Sequence, residues 1–206
     1  MIRMALLLFL LSMRLWASEP EALYVRVPIN PEQYQAFRQA PLPARLPGDA
    51  MEWMPHSFEY RQEMEMEVMR RLLRSRQAFA TVSDYLASWP IWPPQLMEEN
   101  RHDFVVDHYD PEQGVWTFAL WEFSENYIEI GEMLTVLRSI APYARPEESG
   151  SIVLYSYEWR HPHGYVFLRV KDGGSQYVEP FPSGEAEKIE IFFDRWARRL
   201  TKKYRD

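Results

Sequence analysis

The stretch Asp103-Phe-Val-Val-Asp-His-Tyr-Asp-Pro-Glu-Gln-Gly-Val-Trp-Thr-Phe-Ala-Leu-Trp121 decides the fold class of this chain. Two runs rich in β-branched and aromatic residues, 103–109 and 115–121, flank Asp110-Pro111-Glu112-Gln113-Gly114. Pro and Gly in so short a break mark a turn, and the stretch predicts a hairpin with a longer loop. Strand side chains alternate, which puts Trp116, Phe118 and Leu120 on one face. Downstream, 152–160 and 165–170 flank His161-Pro162-His163-Gly164 and predict a second hairpin. Pairing Arg160 with Tyr165 sets Trp159 opposite Val166, Tyr157 opposite Leu168 and Tyr155 opposite Val170, all on one face. The other face, with Ser156, Glu158, Arg160 and Arg169, is expected to be wet or to contact a partner. Lys171-Asp172-Gly173-Gly174 then turns the chain into a third strand near 176–178.

Helical periodicity surrounds these strands. After a short strand over 22–27, Asn30 is a predicted N-cap with Pro31 at the first helical position and Gln33 closing a capping box. That helix is expected to run to about Ala40, where Pro41, Pro43, Pro47 and Gly48 make an extended linker. A long helix is predicted over 58–76, with acids in its first half and arginines in its second, the order that complements the helix dipole. Its stripe is Met64, Val68 and Leu72, flanked by Met69 and Leu73. A methionine-lined face can serve as an adaptable binding surface, but at this spacing it is more often core. A short helix over 82–89 ends at Pro90, Pro93 and Pro94.

Ser124 is expected to cap the next helix, in which Tyr127, Ile130, Leu134, Leu137 and Ala141 recur at threes and fours. Glu125, Glu129 and Glu132 fall on its wet side, and Pro142 ends it. A last helix from about Glu185 carries the stripe Ile189, Phe192, Phe193, Trp196 and Leu200. Arg198, Arg199, Lys202 and Lys203 crowd its C-terminal end, which dipole complementarity explains. Strand pairs close in sequence, with helices toward either end, predict an α+β fold: a mainly antiparallel sheet with helices packed on one side, in a single domain over 18–206.

The first 17 residues read differently. Met1-Ile2-Arg3 is a cationic start, and 4–13 is a nearly unbroken apolar run, about half of the ~20 residues that a membrane span needs. It suits the hydrophobic region of a secretory signal, with a cut after Ala17, although Leu15 stands where a small residue is preferred. An uncleaved anchor, a buried helix and an over-long start are the alternatives. Cleavage would leave 21 basic against 30 acidic residues, a net of −9. The domain is then expected in the periplasm, without stable membrane insertion; an uncleaved chain is expected in the cytoplasm.

Charge and composition exclude more than they assign. A formal charge of −7 argues against a general nucleic-acid binder, which needs a basic footprint. It fits a basic partner, and solubility alone explains it as simply. The absence of cysteine excludes disulfides, thiol nucleophiles and Cys-ligated zinc. No Gly-x-Ser-x-Gly elbow, P-loop or dinucleotide fingerprint occurs, so no catalytic residue and no cofactor is assigned. Glu122, Glu125, Glu129 and Glu158 could meet as paired acids, as in any acidic protein. His102, Asp103, Asp107, His108 and Asp110 superficially suggest a metal site. Alternation places His102 and His108 on one face and Asp103 and Asp107 on the other, so no metal is expected there. His161 and His163 sit at a hairpin tip, where a Pro-Gly turn with solvated imidazoles accounts for them.

The run Phe118-Ala-Leu-Trp-Glu-Phe-Ser-Glu-Asn-Tyr-Ile-Glu-Ile-Gly-Glu-Met-Leu, then Leu137-Arg-Ser-Ile-Ala-Pro-Tyr and Gly150-Ser-Ile-Val-Leu-Tyr-Ser-Tyr-Glu-Trp, resembles bacterial immunity proteins. The resemblance covers about a quarter of the chain. It implies a small, acidic, non-enzymatic α+β inhibitor that occludes a cognate protein toxin of a polymorphic-toxin or secretion-delivered pair. Two surfaces are then candidates for the partner: Glu125, Glu129 and Glu132 on the middle helix, and Glu158, Arg160 and His161 at the second hairpin. Two other classes stay open, an envelope-located binding or assembly factor and a hydrolase using clustered carboxylates or histidines.

Overall fold

The computed structural model describes residues 21–54, 60–89, 103–124, 126–155 and 166–203. Its centre is a six-stranded, fully antiparallel sheet: β1 (Glu21–Pro28), β2 (Val105–Asp110), β3 (Val115–Ser124), β4 (Gly150–Tyr155), β5 (Val166–Lys171) and β6 (Gly174–Tyr177). In space the order is β2-β3-β1-β4-β5-β6. The helices are α1 (Pro31–Gln39), α2 (Arg61–Ala78), α3 (Val82–Ala87), α4 (Tyr127–Arg138) and α5 (Ser183–Lys203), with one 3₁₀ turn at Ala141–Tyr143. The expected α+β class and antiparallel sheet are present.

Alternation along the strands sorts the apolar residues into two layers. Leu23, Val25 and Val27 of β1 join Trp116, Phe118 and Leu120 of β3, Ile152 and Leu154 of β4, and Leu168 and Val170 of β5 in the larger core. Phe37 of α1, Leu72 of α2, Val82 and Leu86 of α3, and Met133 and Leu137 of α4 pack on that layer. The other face carries Ala22, Tyr24, Ala119, Val153, Tyr155 and Phe167, covered by Ile189, Phe193 and Trp196 of α5. Four helices therefore lie on one side, and the fifth takes the side expected to be wet. Burial of an aliphatic or Phe anchor contributes about 1.5–3 kcal/mol. Ile189, Phe193 and Trp196, spaced four and three apart, are enough to seat α5 on the sheet.

The hairpins differ in how well their sequences foretold them. Asp110 pairs with Val115 across the expected turn, and Asp110 Oδ1 accepts hydrogen bonds from the Glu112 and Gln113 amides. Asp172 and Gly173 both have positive φ, the geometry of a tight two-residue hairpin turn, so β6 starts directly at Gly174. The β4–β5 register is not the expected one. Val170 faces Gly150 and Val166 faces Leu154, whereas Tyr155 was expected opposite Val170. The shift is five residues, an odd number, so Tyr155 lies on the opposite face from Leu168 and Val170. Every residue of β4 is buried, so hydrophobicity cannot select the register from sequence. Gly150 bears on the β1–β4 pairing instead: a Cβ there would lie 3.0 Å from a Val27 methyl and 3.1 Å from the Arg26 carbonyl oxygen.

Helix starts also moved. Pro31 is at the first turn of α1, but Asn30 makes no side-chain cap bond. A capping box occurs instead at α3, where Thr81 Oγ1 accepts from the Asp84 amide and Asp84 Oδ2 accepts from the Thr81 amide. Asn126 rather than Ser124 caps α4, accepting from the Ile128 amide at 2.9 Å. Ser124 ends β3, accepts from the Asn126 amide and donates to Glu129. In α2, Val68 and Leu72 are buried as expected, while Leu73 is 47% exposed.

Candidate functional site

Glu129 and Glu132, two of the acids expected on the wet side of α4, are turned toward α2. Every residue of α4 from Ile130 to Arg138 is buried, because the sheet lies on one side of the helix and α2 with the 46–54 segment on the other. Glu132 is fully buried, and its Oε2 accepts from Arg71 Nε at 2.6 Å. Arg71 also reaches Glu129 at 3.2 Å, and Glu129 accepts from Ser124. These two carboxylates stitch α4 to α2. Glu132 is no docking residue, since a carboxylate already desolvated and paired cannot also meet a partner, and Glu129 is half-buried against the same arginine. Glu125, Glu158, Arg160 and His161, the other candidate partner residues, lie outside the described residues, as do 1–17, His102 and His163.

Close approach makes this junction possible. A Cβ at Gly131 would sit 2.8 and 3.3 Å from the two Val68 methyls. Beside it, Tyr85 is buried, which together with the negative Glu132 holds its phenol well above the ordinary range. Arg138 closes the far end of α4. Its Nη2 donates to both carboxylate oxygens of Asp49 and to the Ser175 carbonyl, its Nε to Ser175 Oγ, and its guanidinium lies 5.2 Å from the Tyr177 ring centre.

The Asp-rich stretch around His108 is likewise structural. Asp107 accepts from Arg38 at 2.6 Å and from Trp116 Nε1 at 2.8 Å, and the Asp103 carbonyl accepts from Trp196 Nε1. Among the described residues no three His, Asp or Glu side chains are placed to hold a metal ion. Nor is any helix among them long and apolar enough to cross a membrane.

A different surface emerges where α5 crosses the sheet. One row of residues runs across all six strands: His108 opposite Thr117, Thr117 opposite Arg26, Arg26 opposite Ser151, Ser151 opposite Arg169, and Arg169 opposite Gln176. Every member is polar. The adjacent row, Val106, Ala119, Tyr24, Val153 and Phe167, is apolar apart from the Tyr24 hydroxyl. The anchors of α5 sit in the second cluster with that apolar row. The middle of the polar row, Arg26, Ser151 and Arg169, lines an open groove of about 1110 Å³ together with Tyr24, Val106 and Phe167 of the apolar row.

The groove is cationic. Arg26, Arg169 and Lys171 line it from the strands, and Lys188, Arg195 and Arg199 from α5, against one carboxylate, Glu185. Lys188, Phe192, Arg195 and Arg199 follow one another at four, three and four residues, so they share a single helix face. Glu185 is paired to Lys188 at 2.7 Å. Arg26, Arg169, Lys171, Arg195 and Arg199 have no ion-pair partner among the described residues. At the groove's inner edge burial raises the Tyr24 phenol, Arg26 pulling the other way and Glu185 adding to the rise. Tyr24 is therefore a neutral hydrogen-bond donor near neutral pH.

Of these residues only Arg169 was expected to face a partner. The available signal in α5 was the 188/192/195/199 spacing, which a dipole argument confined to the last turn passes over. Arg26 had no sequence signal beyond being the one charge within the strand expected over 22–27. Comparison with known protein families, with curated proteins and with solved structures finds no match. The site is thus defined by its own chemistry: an α+β domain with an open, positively charged groove beside an aromatic cluster.

Proposed function

We propose that this chain is a binding protein of the immunity or inhibitor kind, which occludes a cognate protein toxin and performs no chemistry of its own. The observation that carries this reading is the groove, an open concave surface in which five cations have no ion-pair partner among the described residues, while the chain as a whole has a charge of −7. Uncompensated charge gathered in one concave place favours association with an oppositely charged surface, raising on-rates and rejecting wrong partners. Arg26, Lys171, Arg195 and Arg199 are exposed and so accessible to a partner, as the buried Glu132 of α4 is not.

The proposed docking surface is therefore the α5 groove rather than the middle helix, and the complementary patch on the toxin is acidic. If the first 17 residues are removed, the complex forms in the periplasm; otherwise it forms in the cytoplasm. The test is co-expression with the product of the adjacent gene. A stable one-to-one complex on gel filtration, with cells protected from that product, is the expected result. No complex and no protection would overturn the reading.

A further inference from the structure

We infer that the groove takes an extended acidic segment of a partner polypeptide, with carboxylates seated on Arg26 and Arg169 along one wall and on Arg195 and Arg199 along the other. This identity of the occupant rests on the protein-binding function proposed above and names the chemistry that would be recognised.

Spacing, charge and ring packing all favour such an occupant. Arg26 and Arg169 flank Ser151 across two strand spacings, which sets their backbones about 10 Å apart. Arg195 and Arg199, one helical turn apart, stand about 6 Å apart along the axis. An extended chain advances about 6.6 Å per two residues, so acids at alternate positions share one side, match the helix wall directly and come within reach of the long arginine side chains of the sheet wall. Guanidinium groups suit carboxylates because their forked donors match two oxygens at once. Ile191, 43% exposed, and half-buried Phe192 offer the same segment an apolar contact.

Nucleic acid is a poorer fit. Sequence-tolerant strand binders stack bases on free aromatic faces. Here the rings are spent on each other: Phe193 stacks on Trp196 at 10° and on Tyr155 at 18°, and Phe192 meets Tyr24 with centroids 4.9 Å apart. A long polyanion would also be repelled by the acidic remainder of the chain, which a short segment confined to the groove avoids.

The experiment is a fluorescence-anisotropy titration of the full chain with a labelled peptide of alternating Glu and Val. An oligothymidylate of equal charge and vesicles containing phosphatidylglycerol are run beside it. The peptide is expected to bind, more weakly as salt rises. Two independent variants, Arg195→Glu/Arg199→Glu on the helix and Arg26→Gln/Arg169→Gln on the sheet, should each weaken it about tenfold or more. Arg198→Glu, on the same helix but outside the groove lining, should leave it unchanged. Circular dichroism confirms folding, and either pair alone suffices as the readout. Unchanged peptide affinity in a folded groove variant overturns the proposal, as does tighter arginine-dependent binding of the oligothymidylate or the vesicles. The two proposals fail separately. Peptide binding without a complex with the neighbouring product counts against the immunity reading alone, whereas a neighbour complex untouched by the groove variants counts against the groove alone.

Discussion

Helices α4 and α5 carry opposite charge and opposite fates. The acids of α4 are spaced like a solvated face, yet Glu132 is fully buried and shares Arg71 with Glu129. The cations of α5 are spaced like an ordinary helix end, yet Arg195 and Arg199 line a groove whose opposite wall is also basic. A charged residue's role depends on what the tertiary fold sets against it. On α4 the fold supplies a partner from α2, and the charge becomes internal structure. On α5 it supplies more charge of the same sign, and Arg195 and Arg199 have no ion-pair partner among the described residues.

The most direct way to break the comparison is to treat Glu132 as a surface residue. Glu132→Ala should cost about 3 kcal/mol, because it strands the part-buried Arg71 with only Glu129 for company. Denaturant unfolding reads this, and a loss below about 0.5 kcal/mol would mean the acid is solvated after all. Next in size is the contact that lets the two helices approach. Gly131→Ala adds a good helix former and still should cost about 1–3 kcal/mol, since the new methyl collides with stiff, β-branched Val68. Val68→Ala in the same chain should recover part of the loss, which overpacking predicts and a backbone-entropy effect does not.

Alkaline pH sharpens the contrast through a tyrosine on each face. Both the Tyr85 and the Tyr24 phenol are raised by burial, with Glu132 adding to the rise at Tyr85 and Arg26 opposing it at Tyr24. A folded-state pKa above the unfolded value of about 10 contributes stability that is fully present below that pH and lost as pH rises beyond it. The contribution of these tyrosines should therefore be constant near neutrality and fall away above about pH 10. Tyr85→Phe should flatten that fall more than Tyr24→Phe, as followed by unfolding midpoints between about pH 9 and 12. The smallest effect belongs to α5. Arg195→Glu/Arg199→Glu should change stability by no more than about 0.5 kcal/mol per site, because exposed charges away from buried partners contribute little. A large loss there would show that the groove cations hold the fold together.

Much of the fold was legible along the chain. The 103–121 hairpin, the stripe Val68 and Leu72, and the anchors Ile189, Phe193 and Trp196 are visible because local periodicity and turn chemistry specify them. The β4–β5 register was not, since β4 is buried on both faces and Ser151 alone does little to mark one side. The candidate site was least legible of all. Its arginines come from β1, β5 and α5, and nothing within a window of any length shows that positions 26, 151 and 169 are neighbours.

By itself, the sequence determined the class of this protein, α+β with an antiparallel sheet, and excluded cysteine chemistry, because composition, period and turn residues are properties of the chain. Only the tertiary structure decided which charges are spent and which are free. Pairing is a matter of distance in space: Arg71 found its carboxylates from 58 and 61 residues away, while Arg26 and Arg169 found each other's company across a serine.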